Sequence, residues 1–153
     1  MIGNAYKLIK FLLTQKPEQE FRLEKFRKKR TLQQNALYWE LCSRVAEKLK
    51  KPRSEIHNQM LRDFGQFYYV AGQLVTTYLL DDEETERQTL LAKDFHVLPT
   101  ASVALDKNGK RRRAYVVLRG SRDYNTAEMN RLLDGMKQEA AQQGIYLKEV
   151  EFE

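Results

Sequence analysis

The 153-residue chain has few of the residues that form disulfides and metal clusters: one cysteine, Cys42, and two histidines. A single thiol excludes an internal disulfide and a cysteine-rich zinc site, and its apolar helical setting predicts a buried Cys42. No apolar run approaches the roughly 20 residues needed to cross a bilayer. The N-terminus lacks a basic segment leading into an apolar stretch, as a signal peptide would have. We therefore expect a cytoplasmic protein that does not span a membrane.

Sequence motifs of nucleotide chemistry and hydrolysis are also missing. There is no Walker loop, no paired-glycine dinucleotide motif and no nucleophile with a plausible histidine partner. His57 falls in a predicted helix and His96 lies near Pro99, which is not the clustered setting of a ββα-metal nuclease. The sequence predicts no cofactor, no metal site and no catalytic activity.

Positive charge is abundant and concentrated. The formal net charge is +6, yet residues 1–53 contain 14 basic and 5 acidic residues, and residues 107–122 contain 7 basic residues and no acidic one. Six acidic residues cluster in residues 81–94. Because positive potential attracts a polyanion only where it is concentrated, the two basic segments favour an anionic partner such as nucleic acid.

Two segments near the N-terminus predict extended structure. The apolar run in residues 6–13 favours a strand, with a helix as the alternative. In residues 21–28 apolar and polar side chains alternate, as in a half-exposed strand that can pair with the first.

Two helices are predicted next. A capping box at Thr31 and Gln34 opens a long helix, and apolar side chains at every fourth position of residues 37–49 predict one buried stripe. Ser54 is predicted to cap a shorter helix, and Gly65 is placed where a left-handed residue ends one.

The second half of the chain predicts strands and a final helix. Residues 67–80 predict two strands around a turn at Ala71 and Gly72, residues 81–93 a turn or short helix, and residues 95–99 an extended segment. Residues 101–105 and 111–119 predict a hairpin.

A last helix is expected to begin at residues 125–128, to end at Gly144 and to be followed by a short extended tail with Ile145, Leu147 and Phe152. The expected fold is therefore α+β, a single domain over residues 1–153. Its small antiparallel sheet is built from hairpins and packs with a long helix in the N-terminal half, a short helix and a C-terminal helix.

The strand at residues 111–119 is the main candidate for a nucleic-acid surface. Its period of two places Arg111, Arg113, Tyr115 and Arg119 on one face, while Ala114 and its alternate neighbours face the core. Cations hold phosphates and aromatic rings stack on unpaired bases, so this face suits single-stranded DNA. The alternative is an edge strand protected by charge.

A second candidate is the basic run at residues 25–30. Lys28, Lys29 and Arg30 precede the predicted helix, whose free amides attract anions, so a phosphate group can dock there. The alternative is a solvated surface patch.

Two patches of the sequence form a distinctive combination of motifs. The first is Arg30-Thr-Leu-Gln-Gln-Asn35 followed by Tyr38-Trp39. The second is Gly120-Ser121-Arg122, an amphipathic helix in residues 129–136, and Gln143-Gly144-Ile145. Together they resemble the NinB family of phage recombination mediators. The patches cover about a third of the chain, and residues 54–106 have no counterpart. The resemblance implies a dimer that binds single-stranded DNA, cooperates with single-strand-binding protein and helps to load a recombinase.

Within these patches Asn35 is positioned to reach a phosphate or a base edge, and Ser121 and Arg122 precede the last helix at another amide-rich site. Trp39 is either half-buried or an exposed stacking platform, and Leu37 and Leu41 nearby favour burial. The predicted DNA-binding residues are Lys28, Lys29, Arg30, Asn35, Arg111, Arg113, Tyr115, Arg119, Ser121 and Arg122.

The sequence thus predicts a phage or prophage protein that binds single-stranded or branched DNA without catalysis. A homodimer is expected from the resemblance and from the aromatic residues 67–69. One alternative is a metal-dependent, structure-specific nuclease. A basic protein-interaction module is the other. The nuclease would use the dense carboxylates Asp81, Asp82, Glu84 and Asp94.

Overall fold

The computed structural model describes residues 1–25 and 32–146. Lys28, Lys29, Arg30, Thr31, Leu147 and Phe152 lie outside the described residues, together with the predictions that concern them. In chain order the elements are α1 (Ala5–Leu13), α2 (Leu32–Leu49), α3 (Arg53–Phe64), β1 (Tyr69–Val70), β2 (Gln73–Leu74), β3 (Thr76–Leu80), α4 (Glu83–Leu91), β4 (Val97–Leu105), β5 (Arg111–Val117), a 3₁₀ turn (Ser121–Asp123) and α5 (Thr126–Gln142). The predicted α+β class is confirmed.

The segment favoured as the first strand is the helix α1. The Asn4 side chain accepts a hydrogen bond from the Lys7 amide and caps it, and the apolar residues fit a helical period as well as an extended one. Every residue of α1 is at least partly exposed. Residues 21–25 have no regular structure. The predicted N-terminal hairpin is therefore wrong.

The core lies between α2, α3 and α5. The centre of the predicted stripe of α2 is buried, Cys42 included, while Leu37 and Leu49 at its ends are partly buried. Helix α5 contributes Met129, Leu132 and Met136. Trp39 is half-buried against this core, as favoured. The Gln34 amide nitrogen donates to Asn130 Oδ1 near the start of both helices, and Lys48 donates to the Gln143 carbonyl near their ends. Helices α2 and α5 therefore run parallel.

Helix α3 differs from the prediction at both ends. Pro52 is its N-cap and Ser54 lies inside the first turn without capping it. Gly65 follows the helix with φ −82°, so it is not left-handed. A Cβ at Gly65 would overlap the Leu61 carbonyl and lie 2.9 Å from the Tyr124 hydroxyl oxygen, so close packing requires glycine here.

The main sheet has three antiparallel strands in the order β3-β5-β4. The predicted hairpin of β4 and β5 is confirmed. Its turn is held by Asp106 Oδ1, which accepts from the amides of Asn108 and Lys110, and Gly109 supplies a positive φ of 75°. The central position of β5 pairs it with a strand on each side.

The smaller hairpin of β1 and β2 turns at Ala71 (φ 50°) and Gly72 (φ 77°), as predicted. Two positive φ values match the twist of a two-residue hairpin turn. Phe67, Tyr68 and Tyr69 on its first arm remain 42–56% exposed. We call residues 67–74 the aromatic hairpin.

The two remaining helices, α4 and α5, each begin at a side-chain cap. Asp82 Oδ1 accepts from the Thr85 amide and opens α4, which resolves the turn-or-helix alternative. Asn125 and Glu128 form a full capping box at α5, and Gly144 follows it with φ 76°. Ile145 packs on the core outside any strand. None of the helices within residues 1–25 and 32–146 is long and apolar enough to cross a membrane.

Candidate nucleic-acid interface

The predicted platform on β5 is not an exposed surface. Tyr115 is 2% exposed, because β5 is the central strand and Glu86 of α4 lies against the end of this ring. Its hydroxyl donates to Glu86 Oε2 at 2.9 Å. Burial and this bond raise the pKa of Tyr115 to about 12. The expectation of an exposed stacking ring is therefore wrong, and so is the alternative of an edge strand.

The arginines of β5 are each paired with a carboxylate. Arg111 and Arg113 both contact Asp81, at 2.7 and 2.8 Å, and Arg112 contacts Asp106 at 2.8 Å. The hydrogen bond from Arg113, followed by the charges of both arginines, lowers the pKa of Asp81. Much of the positive charge that the sequence places on this strand is thus neutralised locally.

The cleft in front of Arg113 and Tyr115 is acidic. Five carboxylates and two guanidinium groups line it, with Pro99 and other uncharged residues. This balance opposes the approach of a phosphate backbone. The lining carboxylates are Glu55, Asp81, Asp82, Glu83 and Glu86.

Three of the four carboxylates of the nuclease alternative are also engaged. Asp81 lies between two arginines and Asp82 caps α4, while Glu84 accepts from the Gln88 amide at 2.7 Å. Within the described ranges no three His, Cys, Asp or Glu side chains are grouped as a metal-binding cluster.

A different surface brings the two basic segments of the sequence together. Arg22 and Lys25 from the first segment and Arg119 and Arg122 from the second line one open groove. We call it the basic groove. Four basic and two acidic side chains line it, and Leu8, Phe11, Phe21 and Leu23 supply apolar walls. Rings and cations are thus combined here, although the sequence placed that combination on β5.

The groove lies beside the start of α5. The 3₁₀ turn with Ser121 and Arg122 lies shortly before Asn125, the cap of that helix. Ser121 is 6% exposed and Arg122 is exposed. Arg119 donates to Glu128 at 2.7 Å and its guanidinium group lies 5.5 Å from the centre of the Tyr124 ring. Arg119 thus ties the end of the sheet to the first turn of α5.

The two patches that resemble NinB proteins meet in space. Gln34 and Asn130, which join α2 to α5, belong to different patches, and Asn35 lies half-buried on the first turn of α2. Because the helices are parallel, their amino-terminal ends point in the same direction, and both carry partial positive charge.

Sequence reasoning missed a buried polar centre that contains both histidines. Tyr38 and His57 Nδ1 are 2.6 Å apart, as are His96 Nδ1 and Asn58 Oδ1, and the ring centres of His57 and His96 are 5.5 Å apart. Burial lowers the pKa of His57 to about 3 and also lowers that of His96. The only sequence signal was the presence of two histidines 39 positions apart.

No protein-family model matches this chain, and neither a curated protein nor a solved structure matches it.

Proposed function

We propose that this chain is a phage or prophage DNA-binding protein that binds single-stranded or branched DNA without catalysing a reaction. Its role is that of a recombination mediator, acting as a homodimer with single-strand-binding protein and a recombinase. The observation that carries the proposal is the basic groove, where cations from both basic segments line one surface with two partly exposed phenylalanine rings.

The groove has the two kinds of side chain that single-stranded DNA requires. Arg122 and Lys25 are exposed and can neutralise phosphates, and each contact releases counterions. Phe21 is 46% exposed, with its ring centre 5.8 Å from that of Phe11. A partly exposed ring offers a stacking face to an unpaired base and none to a base inside a duplex.

The resemblance adds the biological setting. Its two patches are far apart in sequence, yet Gln34 contacts Asn130, and Arg122 of the second patch lines the groove. A mediator of recombination needs a surface for single strands, and the groove supplies a candidate for it.

The test is a salt-dependent titration of single-stranded, duplex and four-way-junction DNA, followed by fluorescence anisotropy. We expect binding to weaken steeply between about 50 and 200 mM salt. Arg122→Glu should weaken binding to all three DNAs and reduce the salt slope by at least about one. Arg87→Glu is the matched control, since Arg87 is an exposed arginine that lines the acidic cleft.

A second pair of variants tests stacking. Phe21→Ser should weaken single-stranded DNA binding by about tenfold, within the range for one stacked base, and change duplex binding little. Tyr6→Ser is the control, because Tyr6 is 80% exposed on α1 and does not line the groove. Equal losses in Arg122→Glu and Arg87→Glu would show general charge attraction, and no DNA binding at low salt would reject the proposed function.

A further inference from the structure

Helix α1 carries apolar side chains on two opposite faces. Leu8 and Phe11 are half-buried and line the basic groove. Tyr6, Ile9 and Leu13 are 80%, 55% and 80% exposed and lie outside the groove lining. Because residues three and four positions apart share one face of a helix, these three side chains form one continuous apolar surface turned to solvent. We call Tyr6, Ile9 and Leu13 the exposed stripe.

Lysines flank the exposed stripe. Lys7 and Lys10 lie on α1, where Lys10 is one turn after Tyr6, and Lys16 follows the helix; all three lysines are exposed. Residues 1–17 contain no acidic residue. None of the three lysines forms an ion pair with another residue of the ranges 1–25 and 32–146. Helix α1 therefore presents apolar side chains and uncompensated positive charge together.

We propose that α1 binds an anionic membrane surface, lying in the plane of the lipid headgroups with the exposed stripe turned toward the acyl chains. A helix with an apolar face and lysines beside it binds in this way without crossing the bilayer. Lys7 and Lys10 can extend their ammonium groups to the lipid phosphates while their carbon stems cover the edge of the apolar face. Tyr6 suits the boundary between headgroups and acyl chains, because its ring is apolar and its hydroxyl is polar.

Charge favours an anionic membrane over a second copy of the chain as the occupant of the exposed stripe. A second copy brings the same lysines and no carboxylate from residues 1–17, whereas anionic lipids supply negative charge along the whole helix. The stripe has one polar group, the Tyr6 hydroxyl, so the groove of a partner protein would gain few hydrogen bonds from it. The inference does not depend on the proposed DNA binding, because the stripe lies outside the lining of the basic groove.

The experiment is cosedimentation of the full chain with vesicles of equal parts phosphatidylglycerol and phosphatidylcholine, compared with vesicles of phosphatidylcholine alone. A helix of nine residues buries little apolar area, so binding should be weak and reversible. We expect at least about tenfold higher affinity for the anionic vesicles, because each lysine near such a surface contributes about fivefold. Added salt should reduce this difference.

Matched variants separate the exposed stripe from general attraction. Leu13→Ser should weaken binding to the anionic vesicles at least about fivefold. Leu105→Ser should not, although Leu105 at the end of β4 is 72% exposed. Lys10→Glu should weaken this binding more than Lys93→Glu, since Lys93 is also exposed but lies outside α1. Tyr6→Ser should lose vesicle binding and keep its DNA affinity, so failure of this inference is distinguishable from failure of the proposed function.

A fluorescent variant reports insertion directly. Tyr6→Trp should shift its emission to shorter wavelength on addition of the anionic vesicles, relative to the wild type, whose only tryptophan is the half-buried Trp39. Unshifted emission, equal losses in Leu13→Ser and Leu105→Ser, or equal binding to both kinds of vesicle would overturn the proposal. So would a change of Leu13→Ser from dimer to monomer with vesicle binding retained, which would assign the stripe to a second copy. If Leu13→Ser fails to fold by circular dichroism, the emission of Tyr6→Trp decides alone.

Discussion

The Tyr115 hydroxyl donates a hydrogen bond to Glu86, and Arg62 donates to the same carboxylate from α3. Arg62 also bonds the Val97 carbonyl at 3.0 Å and the Thr89 hydroxyl at 2.9 Å. One carboxylate on α4 therefore joins the central strand to α3, and the guanidinium group extends this connection to the first residue of β4.

Because of this connection, we expect Tyr115 to stabilise the fold. Tyr115→Phe removes the hydroxyl but keeps the buried ring. The free energy of unfolding measured in urea should therefore fall by about 1 kcal/mol, and DNA affinity should not change. Tyr78→Phe is the control, since Tyr78 is 52% exposed and should change stability by less than about 0.5 kcal/mol. A loss of DNA affinity without a loss of stability would show that Tyr115 contacts DNA.

Stability should fall in mild acid because of the histidine pair. The folded-state pKa of His57 is about 3 and its unfolded value is 6.5, so below pH 6.5 the unfolded chain binds more protons. This contribution is complete above pH 6.5 and is lost as pH falls toward 3. Between pH 7 and 5.5 we expect a loss of about 1 kcal/mol from His57 alone, and His96, shifted in the same direction, adds to it.

Urea midpoints at the two pH values measure this loss, and His57→Gln should reduce it. The lowered pKa values of Asp81, Asp82 and Asp106 affect stability only at lower pH. A midpoint independent of pH in this window would contradict the prediction.

The acidic segment provides a test of the nuclease alternative. The combined variant Asp81→Ala, Asp82→Ala and Glu84→Ala should bind DNA as well as the wild type or better, because it removes negative charge and the partner of Arg111 and Arg113. Loss of the Asp82 cap should destabilise it by about 1 kcal/mol. Cleavage of branched DNA by the wild type in magnesium or manganese, absent in this variant, would establish the nuclease.

The homodimer can be tested on the aromatic hairpin. We expect the wild type to sediment as a dimer at micromolar concentration. Val70→Lys, which places a charge on a side chain 53% exposed, should shift it toward monomer. Leu105→Lys, at the end of β4 where Leu105 is 72% exposed, should not. A monomeric wild type would reject the dimer.

Sequence patterns predicted those elements that are specified by residues close together in the chain. The stripe of α2, the start of α5 at Asn125 and the turn at Asp106 each depend on residues that are near one another in the sequence, and each formed as expected. The helix α1 was misjudged because a short apolar run fits both periods.

The site was harder to predict because its geometry depends on distant residues. Alternation on β5 assigned Arg113 and Tyr115 to one face, but the covering of that face depends on Asp81 and Glu86, 32 and 29 positions away. The basic groove likewise joins residues 22–25 to residues 119–122. The periodicity of apolar residues along the chain gives no information about contacts between such distant segments.

The contact of Gln34 with Asn130 closes a loop of 96 positions. Joining distant segments lowers the entropy of the chain, and only the completed packing of α2 on α5 offsets that loss. This contact therefore forms in the slow part of folding, in which nonlocal contacts are made. During synthesis the amino-terminal helices emerge well before their parallel partner. A ribosome-bound chain stalled before α5 should therefore lack Glu128, the carboxylate that holds Arg119 in the basic groove, and we expect DNA binding to reach full strength only after the last helix has docked.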